Sequence, residues 1–106
     1  MTGMNFFEST IHVNIMLHRG GHVIVANKAK TIIEGDQYSC MNKIRQIITE
    51  LSSLGDKHII FHIMNMTTAG DMSVMLAKGY FKSNIERLNT ARCKVEIKAG
   101  LYDVFA

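Results

Sequence analysis

Apolar residues along this chain switch between alternation and helical spacing, and the switches predict the elements. Ile11 to Leu17 (IHVNIML) and His22 to Ala26 (HVIVA) read as strands separated by His18-Arg19-Gly20-Gly21. Two consecutive glycines supply the positive φ angles that a tight hairpin turn needs. From Asp36 to Leu54, Tyr38, Met41, Ile44, Ile47, Ile48, Leu51 and Leu54 recur at three- and four-residue steps. An amphipathic helix is expected there, with Asp36 as N-cap and Gly55 at its stop. His58 to Met64 (HIIFHIM) has apolar residues at adjacent positions, as in a central strand buried on both faces. A second helix is expected from Gly70 to Asn89, with Met72, Met75, Leu76, Tyr80, Phe81, Ile85 and Leu88 along its inner side. Cys93 to Ala99 reads as a further strand, and Leu101 to Phe105 as the beginning of a last helical turn.

The expected order is therefore β-β-α-β-α-β. Strands separated by helices favour parallel pairing through crossovers, while the opening hairpin pairs antiparallel, so the sheet is predicted to be mixed. With no proline, no low-complexity stretch and no internal repeat, residues 1–106 read as a single α/β domain.

Composition narrows the partners more than it identifies the function. A content of 47% hydrophobic and 20% charged residues argues for a packed core and against disorder. No apolar run approaches the roughly 20 residues of a membrane span, and the start MTGMNFFESTIHVN lacks a signal-peptide pattern, so a cytoplasmic protein without a membrane partner is expected. The formal charge of +3 is spread over the chain. Its densest cluster is Arg92, Lys94 and Lys98 on one face of the last strand, with Glu96 among them. That row reads as a solvated strand face, and nucleic acid is not an expected partner. Cys40 and Cys93 have no CxxC spacing and read as small fillers, with a disulfide formally open.

Local chemistry concentrates at the joint between the central strand and the second helix, where Thr67-Thr68-Ala69-Gly70-Asp71 breaks the apolar run. Short hydroxyl side chains at a helix start commonly cap it, which is the plain reading of Thr67 and Thr68. Asp71 disfavours an anion there, and the segment lacks the Lys-Ser or Lys-Thr of a phosphate loop. The five histidines offer a weaker case. His18 and His22 flank the hairpin turn and face each other across a three-residue loop but not across a two-residue one; either way, two imidazoles make an incomplete zinc site. His58 and His62, four apart on a strand, are about 13 Å from sharing an ion. His62 faces the side opposite Phe61 and Ile63 and needs a partner if buried; Asp71 and Glu34 are the acids considered for it. No catalytic residue, metal or cofactor is assigned.

The element order, together with the hydroxyl-bearing turn after the central strand, resembles the STAS domain of anti-sigma-factor antagonists and related stressosome and sulfate-transporter modules. In that family an acidic residue, two small hydroxyl residues and a glycine precede the helix. Thr68 stands in the place of the phosphorylated serine or threonine and Gly70 in that of the turn glycine, while Thr67 replaces the acid and Ala69 the second hydroxyl. HVIVANKAKTIIEGD occupies the position of the family's second strand and following turn, and RCKVEIKAGLYDVF that of a later strand and short helix. The resemblance implies a fold truncated at the C-terminus, without the family's last strand and long helix. It also implies a non-catalytic protein-interaction module switched by phosphorylation at Thr68, whose partner is a serine/threonine kinase or an anti-sigma factor. Thr67, Ala69, Gly70, Asp71, Met72 and Met75 would form the turn and interaction surface. The alternative is a small homo-oligomeric α/β protein that binds a ligand or protein by another surface, with an enzyme using histidines ranked below it. Homo-oligomerisation is expected, since the short C-terminus would leave a sheet edge or helix face uncovered.

Overall fold

The computed structural model describes residues 10–67 and 71–99. They form strands β1 (Thr10–Leu17), β2 (Val23–Asn27) and β3 (Lys30–Gly35), helix α1 (Gln37–Ser52), strand β4 (Lys57–Asn65), helix α2 (Met72–Glu86) and strand β5 (Cys93–Ala99). One five-stranded sheet runs in the order β3-β2-β1-β4-β5. β1, β2 and β3 pair antiparallel as a meander, whereas β4 lies parallel to both β1 and β5. The expected mixed sheet is present, with one strand more than the sequence pattern indicated.

The extra strand is β3, in a stretch read as turn. Its hairpin has no Gly or Asn in the left-handed position; Lys28 takes it, at φ 56°. The β2–β3 register slips between Val25 and Ala26, so the adjacent Ile32 and Ile33 both pack against the core and alternation is lost. The β1–β2 turn follows the glycine reading, with Gly20 at φ 76° and Gly21 at φ 81°.

Period-two alternation sorts the sheet into two faces. Val13, Ile15 and Leu17 of β1, Val23 and Val25 of β2, Ile59, Phe61 and Ile63 of β4, and Cys93 of β5 form one buried cluster. Cys40, Met41, Ile44 and Ile48 of α1 and Val74, Ala77, Phe81 and Ile85 of α2 complete it. Both described helices thus lie on one sheet face. On the other face lie Met16, Ile24, Ile60 and Met64 among polar residues, with Lys94, Glu96 and Lys98 exposed as a solvated row.

Helix boundaries follow capping chemistry. The Asp36 carboxylate accepts from the Ser39 N–H at 2.8 Å, and Gly55, at φ 124°, lies beyond the last turn of α1. The Asp36 bonds hold its pKa below the ordinary value, the Ser39 N–H being the largest cause. Two residues of the expected α1 stripe depart from it: Tyr38, in the first turn, and Leu54, beyond the C-terminal cap, are exposed, and Cys40 fills the core position in the first turn. Cys40 and Cys93 are both buried and unpaired, and burial pushes the Cys40 thiol pKa up. The helical turn expected at Leu101 to Phe105 falls outside the described residues. No helix among the described residues is long and apolar enough to cross a membrane.

Candidate functional site

At the carboxyl ends of β1 and β4, which lie side by side, the chain leaves in opposite directions: β1 turns towards β2, and β4 runs through α2 towards β5. In open sheets of parallel strands such a divergence leaves room for a ligand or partner beyond the strand ends. The strand-helix joint singled out in the sequence lies at this divergence. The Met66 N–H donates to the Leu17 carbonyl at 2.9 Å, which ties the exit of β4 to the end of β1.

The joint is held by Asn65 and Asp71. Asn65, the buried last residue of β4, accepts at Oδ1 from both the Thr67 N–H and the Thr67 hydroxyl, each at 3.0 Å. This Asx-type turn engages the hydroxyl on the strand side. The N-cap of α2 is Asp71. One Asp71 carboxylate oxygen accepts from the Ser73 N–H at 3.0 Å, the Ser73 hydroxyl at 2.6 Å and the Val74 N–H at 3.4 Å. The other lies 3.6 Å from Arg19 Nε, across from the β1–β2 turn. The Ser73 hydroxyl is the largest cause lowering the Asp71 pKa, with the helix N–H groups and Arg19 adding to it. Asp71 is thus spent on the helix start and on Arg19, and α2 begins at Met72 rather than Gly70. Thr68, Ala69 and Gly70 lie outside the described residues.

The first turns of α2 reverse the expected helix face. Val74, Ala77, Phe81 and Ile85 are buried, whereas Met72, Met75 and Leu76 are 65%, 57% and 66% exposed. Steps of three and four from Val74 define the inner line, and residues 72, 75 and 76, spaced i, i+3 and i+4, share another side. Of the sequence-predicted surface, Met72 and Met75 are displayed together, and Leu76, read as core, joins them. The sequence signal for this was the competing phase Val74-Ala77-Phe81, obscured because Met and Leu outweigh Val and Ala in hydrophobic size.

The histidines fall into separate places. His18 and His22 sit opposite each other across the three-residue turn, rings 5.8 Å apart, and His22 Nε2 lies 3.0 Å from Glu34 Oε2. The His18 Nε2 atom is buried without a hydrogen-bond partner among the described residues. His58 faces Glu96 at 3.7 Å. His62 meets neither Asp71, which serves α2, nor Glu34, which serves His22. Instead it stacks on His12 with rings 5.3 Å apart, and His12 Nδ1 and His62 Nε2 share a hydrogen bond of 3.0 Å. That pair arises from the parallel β1–β4 register, which places Asn14 beside His62 and His12 one step diagonal to it. Sequence spacing alone carries no sign of a contact between residues 50 apart. Among the described residues, no group of three or more His, Cys, Asp or Glu is placed to hold a metal ion.

Burial, followed by the charge of His12 and of Lys98, holds the His62 pKa below its ordinary value, with Glu96 opposing. Because the folded pKa is depressed, the folded state gives up stability as pH falls below about 6.5, where the unfolded chain takes the proton first. Urea midpoints measured at about pH 7.5 and about pH 5.5 are expected to fall further in the wild type than in His62→Gln. An identical fall in both would remove the titration of His62 as the cause.

No protein-family model, curated protein or solved structure matches this chain.

Proposed function

We propose that this chain is a non-catalytic, STAS-like, cytoplasmic protein-interaction module that docks a partner through the first turns of α2 and is switched by phosphorylation at Thr68. The observation that carries the reading is the exposure of Met72, Met75 and Leu76 on one side of a helix whose start lies at the divergence of β1 and β4. Contiguous exposed apolar side chains are costly in water and mark contact surfaces, and methionine adapts its shape to a partner. Asp71, already committed to α2 and Arg19, leaves less unbalanced negative charge against a phosphate than an unpaired carboxylate would. A phosphate added at Thr68 brings nearly two negative charges to the segment preceding this apolar surface, and a partner would have to desolvate them on docking.

The partner expected from the family resemblance is an ATPase-type serine/threonine kinase or an anti-sigma factor. Co-expression with such a kinase should add one phosphate by intact mass, retained in Thr67→Ala and lost in Thr68→Ala. Absence of the phosphate, or its retention in Thr68→Ala, ends the switch part of the reading.

A second reading, a homo-oligomer formed through another surface, is favoured by the sheet face opposite the two described helices, where Met16, Ile24 and Met64 are partly exposed beside the buried Ile60. Parallel strands are ordinarily covered on both faces, and the two described helices cover one. Sedimentation equilibrium separates the two readings: Met16→Glu breaks the oligomer in the second and leaves partner docking intact in the first.

A further inference from the structure

At the end of the sheet opposite the strand-helix joint, a recess of about 560 Å³ opens between the start of β1, the β2–β3 hairpin and the second half of α1. Its walls are Ile11, Val13, Ile32, Ile47 and Leu51, and none of its nine lining residues is acidic. The volume is that of a small-molecule site, and such sites are mostly apolar with a few polar groups that orient the ligand.

Two departures from regular backbone border this space. The β2–β3 bulge leaves Ile32 without a cross-strand partner, so both Ile32 and Ile33 pack on the helix side, and Ile32 becomes a wall. Lys28, at the hairpin tip, holds a left-handed φ of 56°, a conformation that Gly or Asn adopts more cheaply. The bulge makes Ile32 an apolar wall, and Lys28 is the one lysine among the lining residues.

Charge at the edge is one-sided. The Asn27 amide is engaged with the His12 carbonyl at 2.7 Å, and the His12 ring with His62. Lys28 is exposed and forms no ion pair among the described residues.

We propose that this recess binds a small amphiphile with an apolar tail and a single anionic head, of the medium-chain carboxylate class, the tail lying against Ile11, Ile32, Ile47 and Leu51 and the head meeting Lys28. The site is separate from the α2 docking surface, and the inference does not depend on that surface having a partner.

Decanoate below its micellar concentration is the probe, with decanol and acetate as comparisons, measured on the full chain by isothermal titration and amide chemical-shift mapping. Saturable decanoate binding is expected, with shifts clustered at Ile11, Val13, Ile32 and Ile47, and acetate inert. Decanol should bind about threefold to fivefold more weakly than decanoate, and Lys28→Asn should erase that difference, as befits one exposed charge contact. Asn accepts the left-handed backbone, so this variant keeps the hairpin. Leu51→Trp and Ile47→Phe, each checked for folding by circular dichroism, should lose binding because the new ring occupies the recess. The proposal is overturned by no saturable binding to the wild type, by shifts centred on Met72, Met75 and Leu76, or by equal binding of decanol and decanoate that Lys28→Asn leaves unchanged. Wild-type affinity in both folded recess-filling variants overturns it as well.

Discussion

Phe61→Ala is expected to lower the unfolding free energy by about 3–5 kcal/mol, the range for truncating a buried aromatic ring. Phe61 is 1% exposed in β4, between β1 and β5, and its register partners are Val13 and Ile97. The odd-numbered face of these strands is the floor on which both helices pack, so a cavity there removes contacts for the whole two-layer core. A domain of this size holds about 5–15 kcal/mol in total, and the substitution therefore takes a large fraction of it. Urea unfolding should show a much lower midpoint with the slope little changed, since the unfolded surface is nearly the same. Phe61→Leu, which keeps most of the volume, should cost distinctly less. A Phe61→Ala protein within about 1 kcal/mol of the wild type would contradict this placement of the core.

Much of this fold was legible because period and punctuation agreed. The Gly20-Gly21 turn, the Asp36 cap and the alternation in β1 each combine a pattern with a local chemical reason, and each is present. β3 escaped because its hairpin relies on Lys28 in a glycine-like conformation and because a bulge breaks its alternation. Both features come from the tertiary structure overriding local preference. The inner face of α2 differs from the expected one for another reason. Large apolar residues at 72, 75 and 76 mimic a core stripe, while the true inner line uses the smaller Val74 and Ala77.

At the candidate site the residue types were legible and their division of labour was not. A Thr-Thr pair before a helix suggests hydroxyl capping, yet Asn65 takes the Thr67 hydroxyl and Asp71 takes the helix. Asx turns and N-caps draw on the same few side chains, so the choice between them depends on which carboxylate or amide reaches the free N–H groups. The His12–His62 contact lies further out of reach, because it depends on β1 and β4 becoming neighbours. Sequence order places two strands and a helix between them.

Leu76→Glu is expected to weaken docking of the proposed partner, an ATPase-type kinase or anti-sigma factor, by about thirtyfold or more, the cost of losing one apolar anchor of roughly 2 kcal/mol. Leu76 is the largest contributor to the exposed row by fractional exposure and sits beside Met72 and Met75, so a carboxylate there meets whatever apolar surface the partner presents. The folded state should hardly notice: the position is in solvent, it is away from the Val74-Ala77-Phe81 line, and exposed substitutions of this kind stay within about 0.5 kcal/mol. That contrast makes the experiment informative, since a binding loss with an unchanged urea midpoint cannot come from unfolding. Ser53→Glu, an exposed change at the C-terminal cap of α1, serves as the charge control and should leave docking unaffected. If Leu76→Glu binds the partner as well as the wild type does, the exposed row of α2 is not the docking surface. If Ser53→Glu weakens binding equally, the effect is one of net charge and the contact is not local.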